Sequence, residues 1–224
     1  MITSASNPKL RLIHRLLESR RQREREGLFV VEGEDLVQAA DDAGVEPLEV
    51  FRAGVDVEPE LLAKLSTMGH PPRVMALFRR ESLPRGVEPV SLSLWRVGDP
   101  GNLGTILRTA DAFGASVALS AGCADATGPK ALRASAGAVF RVPLGEATGQ
   151  RIGLVAHGGK SLAELEFGDA TVFVVGSERE GLPEEVLTSS DVTATIPTSG
   201  PAESLNVAAA GAIALYEWSR RRSD

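Results

Sequence analysis

The spacing of apolar positions changes repeatedly along the first 80 residues. Leu10, Leu12, Ile13, Leu16 and Leu17 recur at helical intervals within NPKLRLIHRLLESRRQRERE, predicting a helix that runs on into a charged arm. The short apolar run LFVVEG reads as a strand, followed by a helix from about Glu34 to Ala43. A strand near LEVF, a helix around Pro59 to Met68 and a strand RVMALF complete a small α/β unit. The stretch RRESLPRGVEP, residues 79–89, mixes charge with Pro and Gly and reads as a linker.

From Val90 the pattern restarts with richer strands. VSLSLWRV, SVALS, RIGLVA, TVFVV and TATIP are separated by helices from about Asn102 to Phe113 and around Pro129 to Ala136, and a greasy helix closes the chain. TVFVV and GLVA are continuously apolar rather than alternating, as expected of strands covered by helices on both faces of a mostly parallel sheet. The division predicted is therefore residues 1–84 and 85–224, both α/β. Three loops, GDPGNLG, GSEREGLP and PTSGPAESLN, each follow a strand. Ligands in open α/β sheets sit outside the carboxyl ends of strands, so these loops are expected to converge on one site.

Composition narrows the class without naming it. The 224 residues are 43% hydrophobic and 24% charged, ordinary for a globular protein, and no stretch approaches the length of a bilayer span. The N-terminus lacks the apolar core of a secretory signal, and a cytoplasmic location is expected. The single Cys123 excludes an internal disulfide and reads as a buried filler; without HExxH or CxxC, no metal site is expected. The formal net charge is -6, yet residues 1–25 carry seven basic side chains against Glu18 and Glu24, +5 there and -11 elsewhere. This asymmetry fits either a nucleic-acid-binding arm or a solvated helix face.

The loops lack the common signatures. GDPGNLG spaces its glycines as GxxGxxG rather than GxGxxG, and there is no Walker GxxxxGK[ST] and no GxSxG elbow. His157, after GLVA, reads as a pocket residue or a polar loop residue. Before the closing helix, Ser204 is a natural N-cap, which leaves Asn206 inside the first turn of an otherwise apolar segment. Behind it, Ala208, Ala209, Ala210, Gly211, Ala212 and Ala214 permit close approach of another backbone.

DPGNLGTILRTADAFGA, VVGSEREGLP and IPTSGPAESLNVAAAGAIALYEW resemble the three successive motifs of the SpoU, or TrmH, family of RNA ribose 2'-O-methyltransferases, and GPKALRASAGAVFRVPL is similar to the segment between them. The likeness covers about residues 90–220. More loosely, NPKLRLIHRLL and LFVVEGEDLVQAA resemble an N-terminal substrate-binding domain found in members that modify ribosomal RNA.

The resemblance implies S-adenosylmethionine as methyl donor, a homodimer with composite active sites and a trefoil knot in the C-terminal domain. It implies RNA as partner, ribosomal RNA first and transfer RNA as the runner-up, with neither DNA nor a membrane expected. By the same correspondence Gly176, Ile196 and Leu205 hold the cofactor, while Asn102, Arg108, Glu178, Ser204 and Asn206 carry catalysis. Asn102 is expected on the loop before its helix, and Glu178 pinned by loop amides. A guanidinium is always protonated, so Arg108 is expected to hold a phosphate and stabilise charge on the ribose oxygen rather than act as base. Arg133 and Ser135 remain open between phosphate contact and helix surface. The competing readings are a catalytically silent RNA-binding protein of the same fold and a nucleotide-binding Rossmann protein.

Overall fold

A computed structural model of the chain describes residues 1–201 and 203–222. The N-terminal part runs α1 (Pro8–Glu18), α2 (Arg20–Glu26), β1 (Leu28–Glu32), α3 (Glu34–Asp42), β2 (Glu49–Arg52), α4 (Pro59–Leu65) and β3 (Val74–Arg79). Its three strands form an antiparallel sheet in the order β1-β3-β2. The period-2 alternation of a strand divides its side chains between two faces. Val30, Met75, Leu77 and Phe51 pack under Leu10, Ile13 and Leu17 of α1 and Leu61 and Leu62 of α4. Phe29, Val31, Ala76 and Phe78 face the other way, toward α3 and the rest of the molecule.

The apolar and charged parts of the first segment are two helices. Ser19 adopts an extended conformation (φ -125°, ψ 115°) and its side chain accepts from the Gln22 amide, ending one helix and capping the next. α4 also stops at Leu65, short of the expected Met68. Beyond it Ser66 and Thr67 turn to donate to the buried Glu32 carboxylate.

The C-terminal part runs β4 (Val90–Leu94), α5 (Pro100–Phe113), β5 (Ser116–Leu119), α6 (Pro129–Ser135), β6 (Gln150–Leu154), β7 (Lys160–Ser161), β8 (Thr171–Val175), α7 (Glu184–Thr188), β9 (Val192–Thr195) and α8 (Val207–Arg222). Its sheet is parallel throughout, in the order β5-β4-β8-β6-β9-β7. The unbroken apolar run of β8 is buried on both faces: Phe173 and Val175 join the core with α5 and α8, and Val172 and Val174 meet Val186 of α7. Both faces being covered explains why this strand does not alternate.

The two sheets share one packed boundary. Phe140, in a short turn after α6, sits against Phe78 and Phe29 with ring centroids 5.5 and 6.3 Å away. Two glycines set the spacing there. A Cβ on Gly137 (φ +83°) would stand 2.3 Å from the Ala39 Cβ of α3, and one on Gly104 of α5 would stand 2.4 Å from the Ala134 Cβ of α6.

Candidate active site

The loops after β4, β8 and β9 meet at the carboxyl edge of the parallel sheet, as the strand pattern predicts. Between the β8 and β9 loops lies a cavity of about 490 Å³, lined by Leu154, Gly176, Ile196, Leu205 and Val207 among others. Gly176, Ile196 and Leu205 thus share one wall system. Residues 154–157 after β6 complete it, including His157, so the histidine belongs to the pocket. Its position just past a buried apolar strand was the available signal.

Gly176 serves the loop itself. A Cβ there would come 2.1 Å from the carbonyl carbon of Gly181, where the 176–182 segment doubles back and Ser177 and Gly181 exchange backbone hydrogen bonds. The absent side chain makes room for the chain's own return, which then shapes the cavity wall.

Beside the cavity runs a continuous hydrogen-bonded chain. Glu178 accepts from the Asn102 Nδ2 at 3.0 Å and from the backbone amides of Asp99 and Gly98 at 3.2 and 3.3 Å. Asn102 in turn accepts at Oδ1 from the Asn206 Nδ2 at 3.0 Å. Asn206 accepts at its own Oδ1 from the amides of Ala208 and Ala209. Three loops are tied together, and each amide has its orientation fixed by its neighbours.

This arrangement corrects two expectations. Asn102 is the third residue of α5, not part of the preceding loop, because Asp99 caps the helix by accepting from the Asn102 amide at 2.8 Å and Pro100 takes the first turn. At α8 the cap is Asn206 rather than Ser204. Ser204 lies exposed in the loop lining the cavity and makes no side-chain hydrogen bond among the described residues. Ala202 of the same loop lies outside the described residues.

Burial pushes the Glu178 carboxyl up, but the hydrogen bonds from Asn102, from its own amide and from those of Asp99 and Gly98 outweigh it and hold the group below the ordinary glutamate range. Glu178 is therefore held as a carboxylate that accepts these hydrogen bonds and clamps the loops together. Asp99 is likewise depressed, by the Asn102 amide and then by Lys130.

Arg108 stands apart. Six residues along α5 from Asn102 is about 9 Å of rise and well over one and a half turns, and its exposed side chain makes no hydrogen bond or ion pair among the described residues. Within one chain it does not line the cavity.

Arg133 and Arg23 of the basic arm have partners inside the protein. Arg133 donates to Thr67 at 2.8 Å and to Glu32 at 3.4 Å, joining α6 to the N-terminal sheet, and Ser135 is buried, donating to the Leu132 carbonyl. Arg23 is buried and pairs with Asp125 at 2.7 Å while donating to the carbonyls of Leu16 and Leu17. Arg80, in the supposed linker, reaches the same carboxylate at 3.2 Å. At least Arg23 is thus a structural residue, and Leu10, Ile13 and Leu17 are core.

Residues 89–216 match the sequence profile of the SpoU rRNA Methylase family. An uncharacterized tRNA/rRNA methyltransferase of Synechocystis is 32% identical, over 99% of this chain and 94% of its own length. A 23S rRNA (guanosine-2'-O)-methyltransferase of Bacillus subtilis is 29% identical, over 96% of this chain and 97% of its own. A Mycolicibacterium smegmatis relative, 34% identical over 83% of this chain, is longer, and the match spans 65% of it. Among solved structures, the SpoU methyltransferase AviRb of Streptomyces viridochromogenes, in complex with AdoMet, superposes with a TM-score of 0.86 and 27% identity, covering 97% of this chain and 99% of that one.

Proposed function

The chain belongs to the SpoU rRNA Methylase family, and from that premise we propose that it methylates a ribose 2'-oxygen of structured RNA, ribosomal before transfer RNA, with S-adenosylmethionine as donor. The observation that carries this reading is the Glu178–Asn102–Asn206 chain running beside a cavity of a size suited to a nucleoside cofactor, about 490 Å³. The cavity fits such a group on its own terms. Leu154, Ile196 and Leu205 offer apolar walls, and Glu178, Glu180 and Glu203 against Arg179 leave an acidic rim that tolerates a cationic sulfur. Gly176, Ile196 and Leu205 would hold the cofactor. When bound, it would supply an electrophilic methyl: the oxygen–carbon bond forms as the carbon–sulfur bond breaks, a neutral thioether leaves, and the ribose hydroxyl proton passes to solvent.

Asn102 and Asn206 would then orient the ribose side of the site, and Ser204 offers an uncommitted hydroxyl at the same edge. Glu178 holds the β4 loop and Asn102 in register. Arg108 completes the site from a second copy of the chain. This homodimer reading draws on the outer face of α8, where Ile213 and Tyr216 stand 38% and 57% exposed one helical turn apart. The α5 carrying Arg108 packs alongside α8. We read residues 1–84 as the RNA substrate-binding domain, residues 85–224 as the methyltransferase domain, and carry the trefoil knot over with it. No helix among the described residues is long and apolar enough to cross a membrane.

The test is incubation with labelled S-adenosylmethionine and total RNA, followed by alkaline hydrolysis, which spares the linkage after a methylated ribose. Label in an alkali-resistant dinucleotide is the expected result. Label recovered on a base, or no label while the cofactor is demonstrably bound, overturns the assignment.

A further inference from the structure

Two residues before Gly98, on the loop that leads into α5, Arg96 holds a backbone conformation that side chains resist, with φ at 53°. Glycine or asparagine adopts this left-handed region more cheaply than arginine. The backbone is pinned there by the Arg96 amide, which donates to Ser120 Oγ at 2.9 Å. Its side chain lies across Gly122, whose own φ is +94°; a Cβ on that glycine would stand 3.3 Å from the Arg96 Nε and 3.4 Å from its Cγ. Two glycine-type conformations, one occupied by arginine, are thus spent on laying one guanidinium along this turn.

Gly122 also lines a groove between the N-terminal helices and the catalytic loop, with Arg20, Gly98, Pro100, Asp125 and Lys130. Arg96 borders this groove through Gly122, and the charges that line the groove are largely committed. Asp125 is paired with Arg23 and Arg80, Arg20 with Glu24, and Lys130 with Asp99. Glu18 at the groove's end faces His14 on its own helix. The exposed Arg96 guanidinium has no hydrogen bond or ion pair among the described residues. Strain is retained at functional positions when the surroundings enforce it, and an unpaired planar cation is the group that recognises phosphate.

We infer that Arg96 is a positioning residue for the substrate: it holds a phosphate of the RNA strand as that strand crosses the interdomain groove toward the start of α5, where Asn102 stands. The inference rests on the proposed function for its ligand. The contact fixes register rather than reading a base. It lies on the same chain as Asn102, so it would set where the target ribose stands along that strand.

The experiment compares the full-length protein with R96N, R96G and R96K. RNA binding is measured by filter retention on deproteinised total ribosomal RNA across a salt series, alongside S-adenosylmethionine affinity and thermal midpoint. R96N should weaken RNA binding about tenfold and reduce the salt slope by roughly 0.7 to 0.9, with cofactor affinity unchanged. R96K should recover the slope, since it restores one charge. R96G should show the same RNA defect without a lower thermal midpoint, because it relaxes the backbone. Unchanged affinity and slope in R96N, or a wild-type chain that fails to bind RNA, overturns the inference; so does a clear loss of midpoint in R96G, which would mean that the arginine serves the fold. Because binding is read without turnover, a wild-type protein that binds RNA but transfers no methyl would sink the proposed function and leave this inference standing.

Discussion

Two carboxylates in this molecule do similar chemistry in different surroundings. Asp125 and Glu178 each accept several hydrogen bonds, and each is held below its ordinary range although burial pushes it up. For Asp125 the hydroxyl of Thr127, Arg23 and the Thr127 amide outweigh that burial. Asp125 stands 6% exposed between Arg23 and Arg80 at the junction of the two sheets. Glu178 is exposed and ties three loops at the site. The junction's network is committed to stability, since its charges cannot turn to water if a partner is lost. The site's network can, so its energy is spent on fixing where atoms stand rather than whether the chain folds.

The largest effect should come from breaking the buried cluster. Asp125→Ala leaves Arg23 without its close counter-charge and should cost about 3–5 kcal/mol in urea denaturation. A loss under about 1 kcal/mol would show that burial does not separate the two networks. Asn102→Ala, by contrast, should reduce methyl transfer about a hundredfold while unfolding free energy shifts by about 1 kcal/mol; a stability loss rivalling that of Asp125→Ala would erase the distinction.

Asn206→Asp sharpens it further. The aspartate keeps the oxygen that caps α8, so stability should hold within about 0.5 kcal/mol. It loses the donor to Asn102 and sets acceptor against acceptor, so single-turnover rate should fall; wild-type rate would remove Asn206 from the positioning chain. The smallest effect is in acid. The Asp125 contribution is complete above the usual aspartate range, about 3.9, and is lost as pH falls through its lower folded value. Stability should therefore be insensitive to this group from pH 6 to 8 and decline below about pH 4, and Asp125→Asn should flatten that decline. An equally steep acid limb in the variant would assign it to other carboxylates.

Much of the parallel sheet was legible because its strands are short apolar runs with Pro or Gly soon after them, and because the loops that follow them are unusual in composition. What escaped the sequence depended on partners far along the chain. RRQRERE has no apolar residue to mark a buried face, and Arg23 is interior only because Asp125 lies 102 positions away to receive it. Ser204 and Asn206 are both good caps two residues apart, and only the Ala208 and Ala209 amides, which donate to the Asn206 Oδ1, decide between them. The helix boundary at Asn102 turned on Asp99, which sequence alone could equally have left in the loop.

Gly104 and Gly137 have a consequence that reaches the site without touching it. Each marks a place where an alanine side chain of a neighbouring helix lies against the glycine, and a single methyl there would overlap that alanine's Cβ at 2.4 and 2.3 Å. α5 presents Asn102 at one end and leans on α6 at Gly104; α6 is roped to the N-terminal sheet by Arg133, and α3 abuts Gly137. The linkage has no slack. Its parts have little freedom to rock against one another, so the span from the N-terminal sheet to Asn102 is a fixed gauge length, and one added carbon at either glycine would recalibrate it.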